Sequence, residues 1–317
     1  MQRIDAIPLF IHAYTFHLNL RFGRMDAFDL LDFADRRNLH GIKVHIDDGE
    51  ERSLRTMTRP ERLRFGQRAR DLGLAVHVEV SSTDLPTLSE TVEIAHDTGA
   101  QSLRSYPRYE GPVSEVIRRT IDDLKRLPGL DSTDSLLFTL EQHEDLKSHE
   151  LVYILDQAKV PRLSLLFDFG NMINAFELPD HALDVMASHI TEVHIKDVRI
   201  VEDRGGRGHL ACRSGEGDIN FPRLLFRLLL LGKDRAQVTA FALEEEVGLF
   251  APAFRFPDEG KDPFIPYRSP SETEIQQGQS LQDLLQQERA DADRQILYVR
   301  AVLEKMHRLA ELHLASQ

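Results

Sequence analysis

The chain has 317 residues, with 39 Lys and Arg against 52 Asp and Glu, giving a formal net charge of −13. Hydrophobic residues make up 41% and charged residues 29%, which is ordinary globular usage and excludes disordered and fibrous classes. The acidic balance argues against a partner held by phosphate neutralisation, so no nucleic-acid partner is expected. A single cysteine, Cys212, cannot close an intramolecular disulfide, which favours a reducing compartment. Residues 1–11 lack the apolar core of a signal peptide, and no apolar run approaches the about 18 residues of a membrane span. The expectation is a cytoplasmic protein without a membrane partner.

Eight short apolar or alternating runs read as strands: 6–11, 41–46, 74–80, 102–106, 136–140, 163–167, 190–195 and 238–243. Helical periodicity fills the gaps at 25–39, 57–72, 84–98, 112–127, 144–158, 179–188 and 221–231, with a last helix at 281–314. In the first of these, Met25, Phe28, Leu31 and Leu39 oppose Asp29, Asp32, Arg36 and Arg37. Asp84 and Ser114 stand where N-caps belong, and Pro222 sits just inside the helix after Asn220. Gly73, Gly99 and Gly129 fall near helix ends.

Alternating strands and helices imply parallel strands joined by right-handed crossovers. Eight such units close most naturally into a (β/α)8 barrel, read as one domain over 1–317. An open doubly wound sheet is the alternative, but no G-x-G-x-x-G follows the first strand. Two stretches break the repeat, a polar loop at 197–220 and an extended Pro-rich loop at 247–280. Both belong to the C-terminal face of the barrel, where active sites are built.

Residues at strand ends rim the barrel mouth. Strand five ends at Glu141, strand six at Asp168, strand seven reaches His194 and strand eight runs into Glu244. Carboxylates crowded in one cleft need a compensating charge, and a divalent cation supplies it. Oxygen ligands with one imidazole suit Mn²⁺, Mg²⁺, Co²⁺ or Zn²⁺. Glu245 should face away, because side chains alternate along a strand, and Glu246 is a rival for the eighth-strand role. His12, Tyr14, His17, His45, Glu79, Arg104 and Tyr106 lie at the ends of the first four strands and could line a polyol pocket. Lys196 could bind a hydroxyl or phosphate, whereas His77 and His96 read as packed or solvated. Cys212 has no motif around it.

Taken together, Leu140-Glu141-Gln142-His143-Glu144-Asp145-Leu146, Phe167-Asp168-Phe169-Gly170-Asn171, His194-Ile195-Lys196-Asp197, Gly215-Glu216-Gly217-Asp218-Ile219 and Leu243-Glu244 resemble the xylose-isomerase-like TIM-barrel superfamily. Within it the likeness is to the sugar phosphate isomerase/epimerase group, over about residues 5–250 and the closing helix. The resemblance implies one divalent metal, most often Mn²⁺, on Glu141, Asp168, His194 and Glu244. It further implies that Glu141 and Glu244 are also the acid/base pair. Many relatives place a His three residues after the Asp, where this chain has Asn171, a candidate substrate residue with His12, His45, Arg104 and Lys196.

The implied reaction is proton abstraction beside a carbonyl through a metal-stabilised enediolate, on a small keto-sugar, sugar acid or cyclic polyol. A metal-dependent dehydratase or lyase uses nearly the same site. An abasic-site endonuclease would need more His ligands and a basic face, and a non-catalytic sugar-binding barrel would have no use for four intact ligands. Many relatives associate, which implies a homodimer or homotetramer.

Overall fold

A computed structural model, describing residues 1–268, 275 and 278–316, closes eight parallel strands into a barrel. The strands are β1 (Leu9–His12), β2 (Gly41–His45), β3 (Ala75–Val80) and β4 (Ser102–Ser105). They continue as β5 (Leu137–Glu141), β6 (Leu163–Asp168), β7 (Ile190–Ile195) and β8 (Ala240–Leu243). Each pairs with its neighbours in the chain, and β1 closes on β8 with Leu9 opposite Phe241 and Ile11 opposite Leu243. Helices follow the strands in alternation, ending with the long helix Leu281–Ala315. This is the expected (β/α)8 architecture.

Local chemistry accounts for most helix boundaries. Asp84 accepts from the Thr87 amide at 3.0 Å and starts Leu85–Thr98, which ends at Gly99 with φ of +70°. Asn220 accepts from the Arg223 amide at 3.3 Å ahead of Phe221–Leu229. Ser114 departs from expectation. The helix Val113–Leu124 begins one residue earlier, and both the Ser114 amide and hydroxyl donate to Asp262, at 2.9 and 2.8 Å. The cap therefore comes from a distant loop. Gly129 is not a left-handed terminator either, because a separate short helix, Leu127–Leu130, encloses it.

The stretch at 197–220 is not simply a loop. Asp197–Asp203 and Gly206–Cys212 form an antiparallel hairpin around Arg204 and Gly205, both at positive φ. Phe250–Ala251 adds a third strand beside Gly206–Cys212. A Cβ on Gly208 would lie 2.6 Å from the Ala251 carbonyl oxygen, so the residues that look like flexible punctuation are what lets a third strand approach. Within 247–280, Phe264–Ile265 pairs with Gly111–Pro112. Arg255 fastens the same segment to Glu150, at 2.8 and 3.0 Å.

The two faces of each strand have different jobs. Ile42, Val44, Val76, Val78, Phe167, Val193 and Ile195 belong to the apolar cluster shared with the helices. The alternate residues point into the barrel and are largely charged. Lys43 on β2 bonds Glu192 on β7 and lies 3.4 Å from Glu79 on β3, while His77 lies 3.3 Å from Glu192. β2 and β7 are not neighbours, so this pair is made through the interior. At the opposite end Phe10 packs among Ala240, Ala242 and Ala75. His96, the other histidine read as structural, bonds Asp131 at 3.0 Å. Among the described residues no helix is long and apolar enough to cross a membrane.

A buried charge that loses its partner is expensive, whereas a pair replaced together by apolar groups is not. Lys43→Met should therefore destabilise the fold by about 3–5 kcal/mol in urea denaturation. Adding Glu192→Leu should recover part of that loss. A double variant as unstable as the sum of the two single variants would contradict the interior pairing.

Candidate active site

Asp168, at the end of β6, is fully buried and anchored through one oxygen, with Oδ1 accepting from the Gly170 amide at 2.7 Å and the Asn171 amide at 2.8 Å. Its other oxygen, Oδ2, makes no hydrogen bond and lies 3.0 Å from Lys196 Nζ and 3.9 Å from His194 Nδ1. Glu141, at the end of β5, brings Oε1 to 3.3 Å from His194 Nδ1 and Oε2 to 3.1 Å from Arg104 Nε. Glu244, just after β8, brings Oε2 to 3.2 Å from the same imidazole nitrogen. Glu141, Asp168 and His194 can each offer a ligand atom within 4.8 Å of the others.

His194 is oriented from behind. Its Nε2 donates to Glu79 Oε1 at 3.0 Å, leaving Nδ1 toward the carboxylates. Glu79 also accepts from His12 Nε2 at 2.7 Å and from Arg104, and burial works against its charge. Arg104, His12, His194 and Lys43 overcome that and hold its carboxyl well below the usual range. His12 accepts the Tyr14 amide on Nδ1 at 3.0 Å, so both ring nitrogens are engaged and the ring is fixed in place.

Five buried carboxylates, Glu79, Glu141, Asp168, Glu192 and Glu244, thus face three permanent cations, Lys43, Arg104 and Lys196. Two negative charges need a partner. Burial opposes a proton on His194, yet Glu244, Glu79 and Glu141 raise its pKa well above the ordinary value. Burial lifts the Asp168 carboxyl to about 6 despite Lys196.

A divalent cation meets the same deficit, and the donors fit one. Glu141 Oε2, Asp168 Oδ2, His194 Nδ1 and Glu244 Oε2 are all buried without a hydrogen bond, one atom from each residue. His12, Glu79 and His194 also approach one another closely, but their facing atoms are already bonded together. A carboxylate behind a ligating imidazole is the arrangement that fixes its tautomer.

Above this centre lies a cavity of about 300 Å³. Glu141, Glu244, His12, Arg104, Asn171, Lys196 and His45 line it, while Asp168 and His194 lie beneath its floor. Lys196 donates to Asn171 Oδ1 at 2.9 Å, and Asn171 donates to Glu141 Oε1 at 3.3 Å. His45 bonds Ser81 at 2.9 Å, and burial with Arg104 lowers it to about 3. Glu245 faces away and accepts from the Ser214 amide and hydroxyl, both at 2.6 Å. Glu246 lines the outer cavity. Burial pushes the Cys212 thiol, in the hairpin, up to about 12.

His209 lines the cavity too, and no sequence argument singled it out. Gly206-Arg207-Gly208-His209 alternates small with polar residues, which is a weak strand signal. Its Nδ1 lies 2.6 Å from Asn174 Oδ1, and Asn174 Nδ2 donates to the Ala251 and Pro252 carbonyls at 2.8 and 2.7 Å. The Asn174 amide is therefore oriented, and His209 carries its proton on Nδ1.

Residues 40–239 match the family described as "Xylose isomerase-like TIM barrel". The chain belongs to that family. A relative in Escherichia coli (strain K12), YihM, described as uncharacterized, is 50% identical over 306 residues, covering 96% of this chain and 94% of that protein. Solved structures share the fold at low identity. D-psicose 3-epimerase, solved in the presence of D-fructose, superposes with a TM-score of 0.64 at 10% identity, covering 94% of this chain and 99% of that one. A protein described as a xylose isomerase-like TIM barrel from Mycobacterium smegmatis, in complex with magnesium, gives 0.61 at 14% identity, covering 95% and 97%.

Burial, reinforced by Lys196, holds His209 well below the usual imidazole range. Nitrogen-15 spectra should accordingly show one neutral Nδ1–H tautomer at pH 7, and Asn174→Ala should abolish that preference. An imidazolium signal, or an Nε2–H tautomer, would contradict this geometry.

Proposed function

We propose that the protein is a divalent-metal-dependent isomerase or epimerase of a small keto-sugar, sugar acid or cyclic polyol. The observation that carries this reading is the set of four buried atoms without hydrogen bonds, one each on Glu141, Asp168, His194 and Glu244. Mn²⁺ is the proposed ion, with Mg²⁺, Co²⁺ and Zn²⁺ suited to the same donors. Bound there, a divalent cation would polarise a substrate carbonyl and steady the enediolate formed when a proton leaves the adjacent carbon.

The chain's own groups supply the rest. Glu141 and Glu244 reach both the ligand cluster and the cavity, so either carboxylate can meet a substrate carbon. Burial raises both pKa values, but Arg104 and His194 more than offset it at Glu141, and His194, Lys196 and His12 do so at Glu244. Both are therefore kept ionised and ready to accept a proton. Transfer between the two would invert a carbon; return by one carboxylate to the neighbouring carbon would exchange carbonyl and hydroxyl.

A dehydratase on a similar substrate is the second reading, and it needs an acid for the departing hydroxyl. Lys196 is a poor one, because Asp168 and Glu244 raise its pKa above the usual value despite burial. His45, His143 and His209 are all held neutral by burial. Asp48, which also lines the cavity and whose carboxyl burial lifts to about 7, is the acid that this second reading would use.

Screening keto-sugars and inososes in D₂O with the Mn²⁺-loaded protein should reveal exchange at a carbon beside the carbonyl. Glu141→Gln and Glu244→Gln should each lower kcat by at least about 10²-fold. Their melting temperatures should stay near wild type, and near-normal kcat in either would sink the acid/base assignment. Loss of water from the substrate would move the dehydratase forward.

Metal uptake competes with the His194 proton, since Glu244, Glu79 and Glu141 raise its pKa well above the ordinary value despite burial while metal ligation needs the free base. Calorimetry in two buffers at pH 7 should show about one proton released per ion, with affinity weakening as pH falls. Release of none would contradict the ligand role of His194.

A further inference from the structure

Four cationic side chains line the cavity, and three of them face carboxylates. Arg104 pairs with Glu79 and Glu141, Lys196 with Asp168 and Glu244, and Arg21 lies 3.9 Å from Glu50. Arg108 is different. Its Nη1 donates to the Arg268 carbonyl at 2.8 Å and its Nη2 to Tyr106 Oη at 2.9 Å, both neutral acceptors. Its Nε is buried without a hydrogen bond, and no carboxylate lies within 4.0 Å of it among the described residues. A guanidinium held in place by neutral groups keeps its charge available to a ligand.

The surroundings carry the same sign. Tyr106 stacks on His143 at 3.9 Å between ring centres, with the guanidinium carbons of Arg104, Arg108 and Arg268 all 5.1 to 5.4 Å from the Tyr106 ring. Burial lowers the His143 pKa first, and Arg268, Arg104, Arg108 and Lys196 lower it further. Glu144 and Asp145 are matched by Arg268 at 3.2 and 3.4 Å. Among the described residues this end of the cavity is thus electropositive, and the guanidinium without a carboxylate there is that of Arg108.

We propose that the substrate carries an oxyanionic group, a phosphate or a carboxylate, which Arg108 holds at the Tyr106–His143 end of the cavity while the reacting carbonyl lies over Glu141 and Glu244. The proposal rests on the isomerase reading for the reacting end alone. Arg108 binds and orients, and it takes no part in proton transfer. Guanidinium geometry offers parallel N–H donors to two oxygens, which a lysine at the same place does not.

The test is calorimetric titration of the full chain with inorganic phosphate and, separately, with malonate. Each titration is run on metal-free protein, so that the anion meets no bound ion, and repeated after loading with Mn²⁺. Saturable binding of at least one anion is expected, weakened tenfold or more in Arg108→Gln and partly restored in Arg108→Lys. Lys233→Gln, remote from the cavity, should bind as wild type does. Tighter phosphate than malonate points to a phosphate ester, and the reverse to a sugar acid. No saturable binding, or equal binding by wild type and both Arg108 variants, would overturn the proposal. Anion binding without Mn²⁺ uptake would instead sink the metal reading and leave the cationic end standing.

Discussion

The architecture depends on one carboxylate held at the centre of the barrel. Glu79 gathers donors or cations from β1, β2, β4 and β7, namely His12, Lys43, Arg104 and His194. A charge without water is tolerated only when it is fully matched, so these four side chains have little freedom to move apart. Through His194 the constraint reaches the candidate ligands, and through Arg104 it reaches Glu141. Most TIM barrels fill this space with branched aliphatic layers; here much of it is an ion network running from Glu192 to Lys196.

That network gives the site its chemical character. Two of the candidate ligands, Asp168 and His194, are sealed below the cavity, while Glu141 and Glu244 are shared between the floor and the open volume. A group able to touch both an ion and a substrate carbon is what proton transfer beside a carbonyl requires. The long final helix supports the arrangement from outside. Gln295 donates to the Ile195 carbonyl at 2.9 Å and lies 3.2 Å from the Ser214 hydroxyl, which in turn bonds Glu245. The strand ends that carry His194 and Glu244 are thereby held from the back.

The barrel was legible because its signals are local. Strand alternation, Asp84 and Asn220 as caps, and Gly73 and Gly99 at helix ends depend on neighbours in sequence, and the structure bears them out. The convergence of Glu141, Asp168, His194 and Glu244 was legible for a related reason, since equivalent positions of successive units must meet at one rim. Glu79 reads in sequence as one more polar strand end; its centrality is a fact of distance across the barrel. The hairpin hid behind Gly206 and Gly208, whose spacing suggests a loop but whose lack of side chains admits a third strand. Its concealment also hid His209. That Arg108 has no carboxylate partner among the described residues is a fact of distance, which its place in the sequence does not reveal.

The central claim is that four buried atoms form a cation site. Equilibrium dialysis against Mn²⁺, with elemental analysis of wild type beside an Asp168→Asn/His194→Ala variant, tests it most directly. The account predicts about one ion per chain in wild type and none retained by the variant, with both proteins folded. Equal retention by the two, or no uptake of Mn²⁺, Co²⁺ or Zn²⁺ by wild type, would contradict it.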